Sequence, residues 1–135
     1  MIKIIHTLLN LDIVHSDEGV NLLAEEIGAL LNVQECSIFV YEKEKLAFRL
    51  IGTSILDRRF VKQFKIKEFQ VPSIQDLKRG SSVFLEKKAL EDENRKFESE
   101  NLLICPILDD GLLDSLIFLG DESPEKLQAL SLIHI

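Results

Sequence analysis

Cysteine is nearly missing from this chain: Cys36 and Cys105 are its only two, 69 positions apart, and both fall inside predicted strands. That is too few for a disulfide framework and lacks the paired spacing of a zinc site; small buried hydrophobes in a reducing cytoplasm are the expected role. The three histidines, His6, His15 and His134, are isolated and lie near the outer helices, so no metal set forms around them. No apolar run approaches the ~20 residues of a membrane span. No basic segment followed by an apolar block marks a signal peptide at the start. A glycine-rich phosphate loop and a Gly-x-Ser-x-Gly elbow are both lacking. Basic charge is also short, 16 Lys and Arg against 23 Asp and Glu. The resulting net charge of −7 excludes a general nucleic-acid binder, which must neutralise phosphates. Internal repeats, low-complexity tracts and Gly/Ser-rich linkers are absent, which argues for one compact domain.

What is present is an ordinary globular balance, 46% hydrophobic and 29% charged. A chain of 135 residues buries roughly two-thirds of the surface its unfolded form exposes. The charge is unevenly spread. Between Asp57 and Glu68, Arg58, Arg59, Lys62, Lys65 and Lys67 face only two acids. Between Asp109 and Lys126, six acids face one base. These runs fit a solvated helix face and an acidic turn region; alternatively, the basic patch lies beside a pocket for an anionic ligand.

Periodicity sets out the elements. Ile2, Ile5, Leu9 and Ile13 trace one helical stripe and Ile4, Leu8 and Leu11 a second. A helix apolar on two sides is covered on both, one by its own domain and one by a partner. Ser16 is placed to cap the next helix, whose stripe runs through Val20, Leu23, Ala24, Ile27, Leu30 and Leu31. Cys36 to Tyr41 alternates as a strand, with Cys36, Ile38 and Val40 on one face and Ser37, Phe39 and Tyr41 on the other. A charged turn leads to a second strand near Leu46 to Ile51. Leu56, Phe60 and Phe64 recur every four residues, predicting a short helix with an aromatic underside. Lys65 to Val71 is expected to be extended, Ser73 to Arg79 helical and closed by Gly80, and Ser81 to Glu86 a strand. Lys87 to Glu100 is mostly charged, with Leu90 and Phe97 its apolar members, and is expected to be a mobile helix-loop. Asp110-Gly111 between two apolar runs predicts a tight hairpin. Ser123-Pro124-Glu125 then opens a last helix through Leu127, Ala129, Leu130, Leu132 and Ile133. No glycine, proline or polar cap follows Ile135, so the expectation is a piece of a longer protein whose final helix continues toward another domain, the alternative being a natural end with a frayed helix.

In their order and wording these parts resemble a GAF domain, the small ligand-sensing module of signalling proteins. The resemblance rests on Glu35-Cys36-Ser37-Ile38-Phe39-Val40, Gly80-Ser81-Ser82-Val83-Phe84, Leu102-Leu103-Ile104-Cys105-Pro106-Ile107 and Leu112 to Leu119, and covers nearly the whole chain. Ser115 departs from it, standing where the family more often has glycine. The implied fold is α+β. A central antiparallel sheet of five to six strands carries the N- and C-terminal helices on one face and a variable segment roofing a ligand pocket on the other, in one domain over residues 1–135.

By that resemblance Ser37, Phe39 and Tyr41 look into the pocket, with Phe60 and Phe64 above and Phe84 nearby. Eight phenylalanines can equally fill a core that binds nothing. Cyclic-nucleotide-binding members carry an Asn-Lys pair near the end of the last strand, whereas that strand here ends Leu119-Gly120-Asp121-Glu122. The string Asn94-Arg95-Lys96-Phe97-Glu98 copies the letters in another element. Methionine-sulfoxide-reducing relatives use several loop cysteines, and a bilin needs a suitably placed one; neither pattern is found. The reading is therefore a non-enzymatic, cytoplasmic sensory or regulatory domain without a cofactor. It forms a homodimer through its first and last helices, passes a signal to a C-terminal output domain, and binds neither nucleic acid nor membrane. A small molecule is the expected trigger. The alternative is a purely structural dimerisation module with a filled core.

Overall fold

The computed structural model describes residues 17–55, 59 and 61–132. The expected first helix, the Ser16 cap, and Leu56 and Phe60 lie outside the described residues. The order of elements is α1 (Asp17–Leu31), β1 (Glu35–Glu42), β2 (Ala47–Thr53), β3 (Lys65–Lys67), α2 (Ile74–Lys78), β4 (Val83–Glu86), β5 (Asn101–Asp109), β6 (Leu112–Asp121) and α3 (Pro124–Ser131). The six strands form one sheet in the order β3-β2-β1-β6-β5-β4, and every pairing is antiparallel. This is the α+β arrangement expected from the alternating strands.

One face of the sheet is covered by α1 and α3. Val20, Leu23, Ala24 and Ile27 of α1 and Leu127 of α3 pack on Cys36, Ile38, Leu103, Ile107, Ile117 and Leu119. The α1 stripe holds with one exception, Leu30, which is 64% exposed. Gly52 of β2 sits directly under this helix. A Cβ there would lie 2.3 Å from Val20 Cγ1 and 2.7 Å from the Val20 carbonyl oxygen, so only glycine lets α1 approach this closely. Gly28, in the middle of α1, is different: its added Cβ would meet nothing nearer than 3.6 Å. The buried Asn21 side chain accepts a hydrogen bond from the Thr53 N–H at 2.9 Å, tying the helix to the end of β2.

The other face is covered by the segment between β2 and β5. Phe39, Phe48, Leu50, Leu102, Ile104, Leu116 and Phe118 from the sheet meet Phe64, Val71, Leu77, Leu90 and Phe97 from that segment. Residues 87–100 depart from the mobile helix-loop expected of them. They make two single 3-10 turns, and Leu90 and Phe97 are each only 2% exposed. Charge density alone misled here, because Leu90 and Phe97, together with the buried polar residues Asn94 and Ser99, tie down a segment whose charged side chains stay outside. Asp110 and Gly111 take φ values of 53° and 77°, the left-handed pair that an antiparallel hairpin turn needs. Ser123 caps α3 by accepting the Lys126 N–H at 3.2 Å, with Pro124 in the first turn.

Candidate functional site

The space beneath the roofing segment is where the sequence places a pocket, and four rings meet there. Phe97 stacks on Phe118 with centroids 4.9 Å apart and planes 7° from parallel. Phe39 lies 5.0 Å from Phe118 and meets Phe64 edge-on at 5.5 Å, while Phe64 and Phe97 are 5.9 Å apart. These are the favoured spacings of aromatic pairs, each contributing about 0.5–1.5 kcal/mol beyond burial. All four rings are buried. Among the described residues, these four rings pack into the middle of the space between the sheet and its roof.

Of the residues expected to line it, Phe39 and Phe64 come together, while Phe60 lies outside the described residues. Ser37 is fully buried, but its hydroxyl is engaged with Thr53 Oγ1 at 3.0 Å, at the end of the sheet. Phe84 corrects the expectation. It packs with the α1 and α3 cluster on the opposite face, because β4 turns Val83 and Leu85, not Phe84, toward the roof. Phe97 and Phe118 were missed. The strict alternation of Leu116 and Phe118 with Ile117 and Leu119 carried the signal for Phe118; nothing local in the charged run marked Phe97.

Phe97 is held in place from behind. Glu35, fully buried at the start of β1, accepts the Ser99 N–H at 3.0 Å and the Glu98 N–H at 3.2 Å. Burial raises the Glu35 pKa, and those two hydrogen bonds partly offset the rise. Gly120 pairs with Glu35 across the strands, and a Cβ at that glycine would lie 2.6 Å from Glu35 Oε1. The missing side chain is what leaves room for the carboxylate. Lys87 Nζ also donates to the Phe97 carbonyl at 3.0 Å.

Tyr41 lies at the far end of β1, half-buried, its ring stacked on Phe48 at 4.8 Å. Its hydroxyl donates to Glu68 Oε1 at 2.6 Å, and Lys78 Nζ reaches the same oxygen at 3.0 Å. The hydrogen bond to Glu68 pushes the Tyr41 phenol up to about 12 and lowers the Glu68 carboxyl, which Lys78 lowers further. Tyr41 and Lys78 line an open cleft of about 390 Å³ that also takes in Lys43, Leu112, Leu113 and Asp114. A second cleft, of about 430 Å³, runs beside β3.

Thiol chemistry has little support. Cys36 is buried on the helix side, and burial raises its pKa far above the ordinary range. Burial raises Cys105 to about 11, against a lowering hydrogen bond from Ser82. Neither is a thiolate near neutral pH. Among the described residues no group of three or more His, Cys, Asp or Glu side chains is placed to hold a metal ion.

Known structures place this geometry in context. The GAF domain of a phosphoenolpyruvate-protein phosphotransferase from Coxiella burnetii superposes with a TM-score of 0.72 at 15% identity, over 96% of this chain and 82% of that one. The chain has the GAF fold. The phycoerythrobilin-bound GAF domain of a cyanobacterial phytochrome follows with a TM-score of 0.60 at 13% identity, over 96% of this chain and 86% of that one. Free methionine-R-sulfoxide reductase from Neisseria meningitidis, in complex with its substrate, gives 0.61 at 12% identity, covering 93% and 80%. Comparison with protein-family models and with curated proteins gives no match for this sequence. One GAF scaffold thus carries a phosphotransferase module, a chromophore and a reductase, so the fold alone does not choose a chemistry. No helix among the described residues is long and apolar enough to cross a membrane.

Proposed function

We propose that this chain is a non-enzymatic regulatory domain of a cytoplasmic signalling protein, passing a signal through its terminal helices as a homodimer. The observation that carries the reading is the GAF fold itself, with α1 over β1 and β2 and α3 over β4, β5 and β6 on the same face of the sheet. Both cysteines are protonated at neutral pH, which speaks against a redox activity like that of the reductase neighbour. A ligand can drive a shift of the helices only by binding one arrangement better than the other.

The alternative reading, a structural dimerisation module with no ligand, is favoured by one observation. Four of the protein's own phenylalanines pack together where a ligand pocket is expected. Thermal melts against a metabolite library separate the two: a reproducible shift supports sensing, and no shift for any compound supports the structural module. Dimerisation has its own test. Replacing Leu8 and Leu11 by Asp is expected to give a folded monomer by light scattering, and a parent chain already monomeric sinks the dimer.

A further inference from the structure

The basic run noted in the sequence ends in a cleft that the chamber does not use. Lys45 from the β1–β2 turn, Lys65 and Lys67 from β3, and Lys96 from the 87–100 segment all line the 430 Å³ cleft, against one lining acid among the described residues, Glu93. Four lysines from three separate segments meet on a protein whose overall charge is −7. Gathering like charges costs folding energy. Glu42 is shared among Arg49 at 3.1 Å, Lys65 at 3.5 Å and Lys45 at 4.0 Å, so one carboxylate serves three cations. Glu93 is engaged by the Gln70 amide nitrogen at 2.7 Å.

The rest of the wall supplies fixed donors and an apolar floor. Asn94 is buried, and its amide nitrogen donates one of its two hydrogens to Gln70 Oε1 at 3.2 Å. Gln70 Oε1 also accepts the Lys67 N–H at 3.3 Å. These bonds lock two amide side chains at the mouth of the cleft. Ala47 and Phe64 form its buried apolar side, with Lys96 Nζ 5.8 Å from the Phe64 ring centroid. The volume is that of a small-molecule site, too small for a folded partner.

We infer that this cleft binds a small phosphorylated molecule carrying two or more negative charges, its phosphate held by Lys65, Lys67 and Lys96 and its body against Phe64 and Ala47. Ammonium groups and amide N–H donors are the groups that hold phosphate oxygens, and charge-assisted hydrogen bonds are the stronger kind. The inference rests on the regulatory reading only for its purpose: the roofing segment and β3 are joined across this cleft, so an occupant bears on both.

The test is a two-dimensional amide NMR titration of the whole chain with inorganic pyrophosphate, and with citrate as a carboxylate of similar charge. Pyrophosphate is expected to give saturable shifts at the amides of residues 65–67 and 94–96, weakening as salt rises. Lys67→Gln with Lys96→Gln is expected to weaken binding about tenfold or more. Arg79→Gln with Lys88→Gln, outside the cleft and paired with Asp76 and Glu86, is expected to leave it unchanged. No saturable shift, shifts centred elsewhere in the wild-type protein, or equal affinity in the cleft variant overturns the site. Citrate binding as tightly as pyrophosphate overturns the phosphate assignment. If pyrophosphate fails while the Leu8 and Leu11 test yields its monomer, the cleft falls and the regulatory reading stands.

Discussion

The two faces of the sheet are built by different means. The helix face is aliphatic and regular: α1 and α3 lay stripes of Val, Leu, Ala and Ile across Cys36, Ile38, Ile117 and Leu119. The roofed face is aromatic and irregular, with no long helix on it among the described residues. A 3-residue strand, a 5-residue helix and several single turns carry Phe64, Leu77, Leu90 and Phe97 down onto Phe39 and Phe118. A regular element distributes its burial over many small contacts. An irregular one must concentrate it in a few large side chains, because its backbone gains little from cooperative hydrogen bonding.

That difference predicts where the protein is most sensitive. Phe97→Ala should cost about 3–5 kcal/mol, the range for a buried phenylalanine left as a cavity, and should free the 87–100 segment. Urea melts measure the cost. A loss below about 1 kcal/mol would mean that the segment merely lies on the surface and that the two faces are not built as described.

The helix face has its own sharp test in two glycines. Gly52→Ala should cost about 1–3 kcal/mol by pushing Val20 and α1 off the sheet. Gly28→Ala, with ordinary contacts around its added methyl, should be neutral or stabilising by up to about 1 kcal/mol. If both behave alike in thermal melts, close approach of α1 to β2 is not what Gly52 provides.

How much of this was legible in the sequence also divides by face. The α1 stripe, the β1 alternation and the Asp110-Gly111 turn were readable because a regular element repeats its signal every two or every three to four residues. Phe84 was assigned to the wrong side because a 4-residue strand has too few positions to fix its register from alternation alone. Phe97 was invisible for a related reason: a single apolar anchor among Glu, Asn, Arg, Lys and Ser has no period to betray it. Glu35 and Gly120 form a pair set by strand pairing across 85 positions of sequence, which local pattern cannot reach.

The smallest effect links the faces through Glu35. Its folded pKa is raised above the ordinary 4.5. Its contribution to stability is therefore fully present below about 4.5 and lost as pH rises through the raised folded value. Stability of the wild type relative to Glu35→Gln should fall as pH is raised across that window. Parallel pH profiles for the two proteins, from denaturant melts, would show that the carboxylate under the 98–99 backbone does not titrate with folding.

The central claim is that four phenylalanine rings pack against one another under the roofing segment. Ring-to-ring nuclear Overhauser contacts in phenylalanine-labelled protein test this most directly. The account predicts cross-peaks from Phe97 to Phe118, Phe39 and Phe64. A Phe97 ring with none of these contacts and with the averaged shifts of a solvated side chain would contradict it.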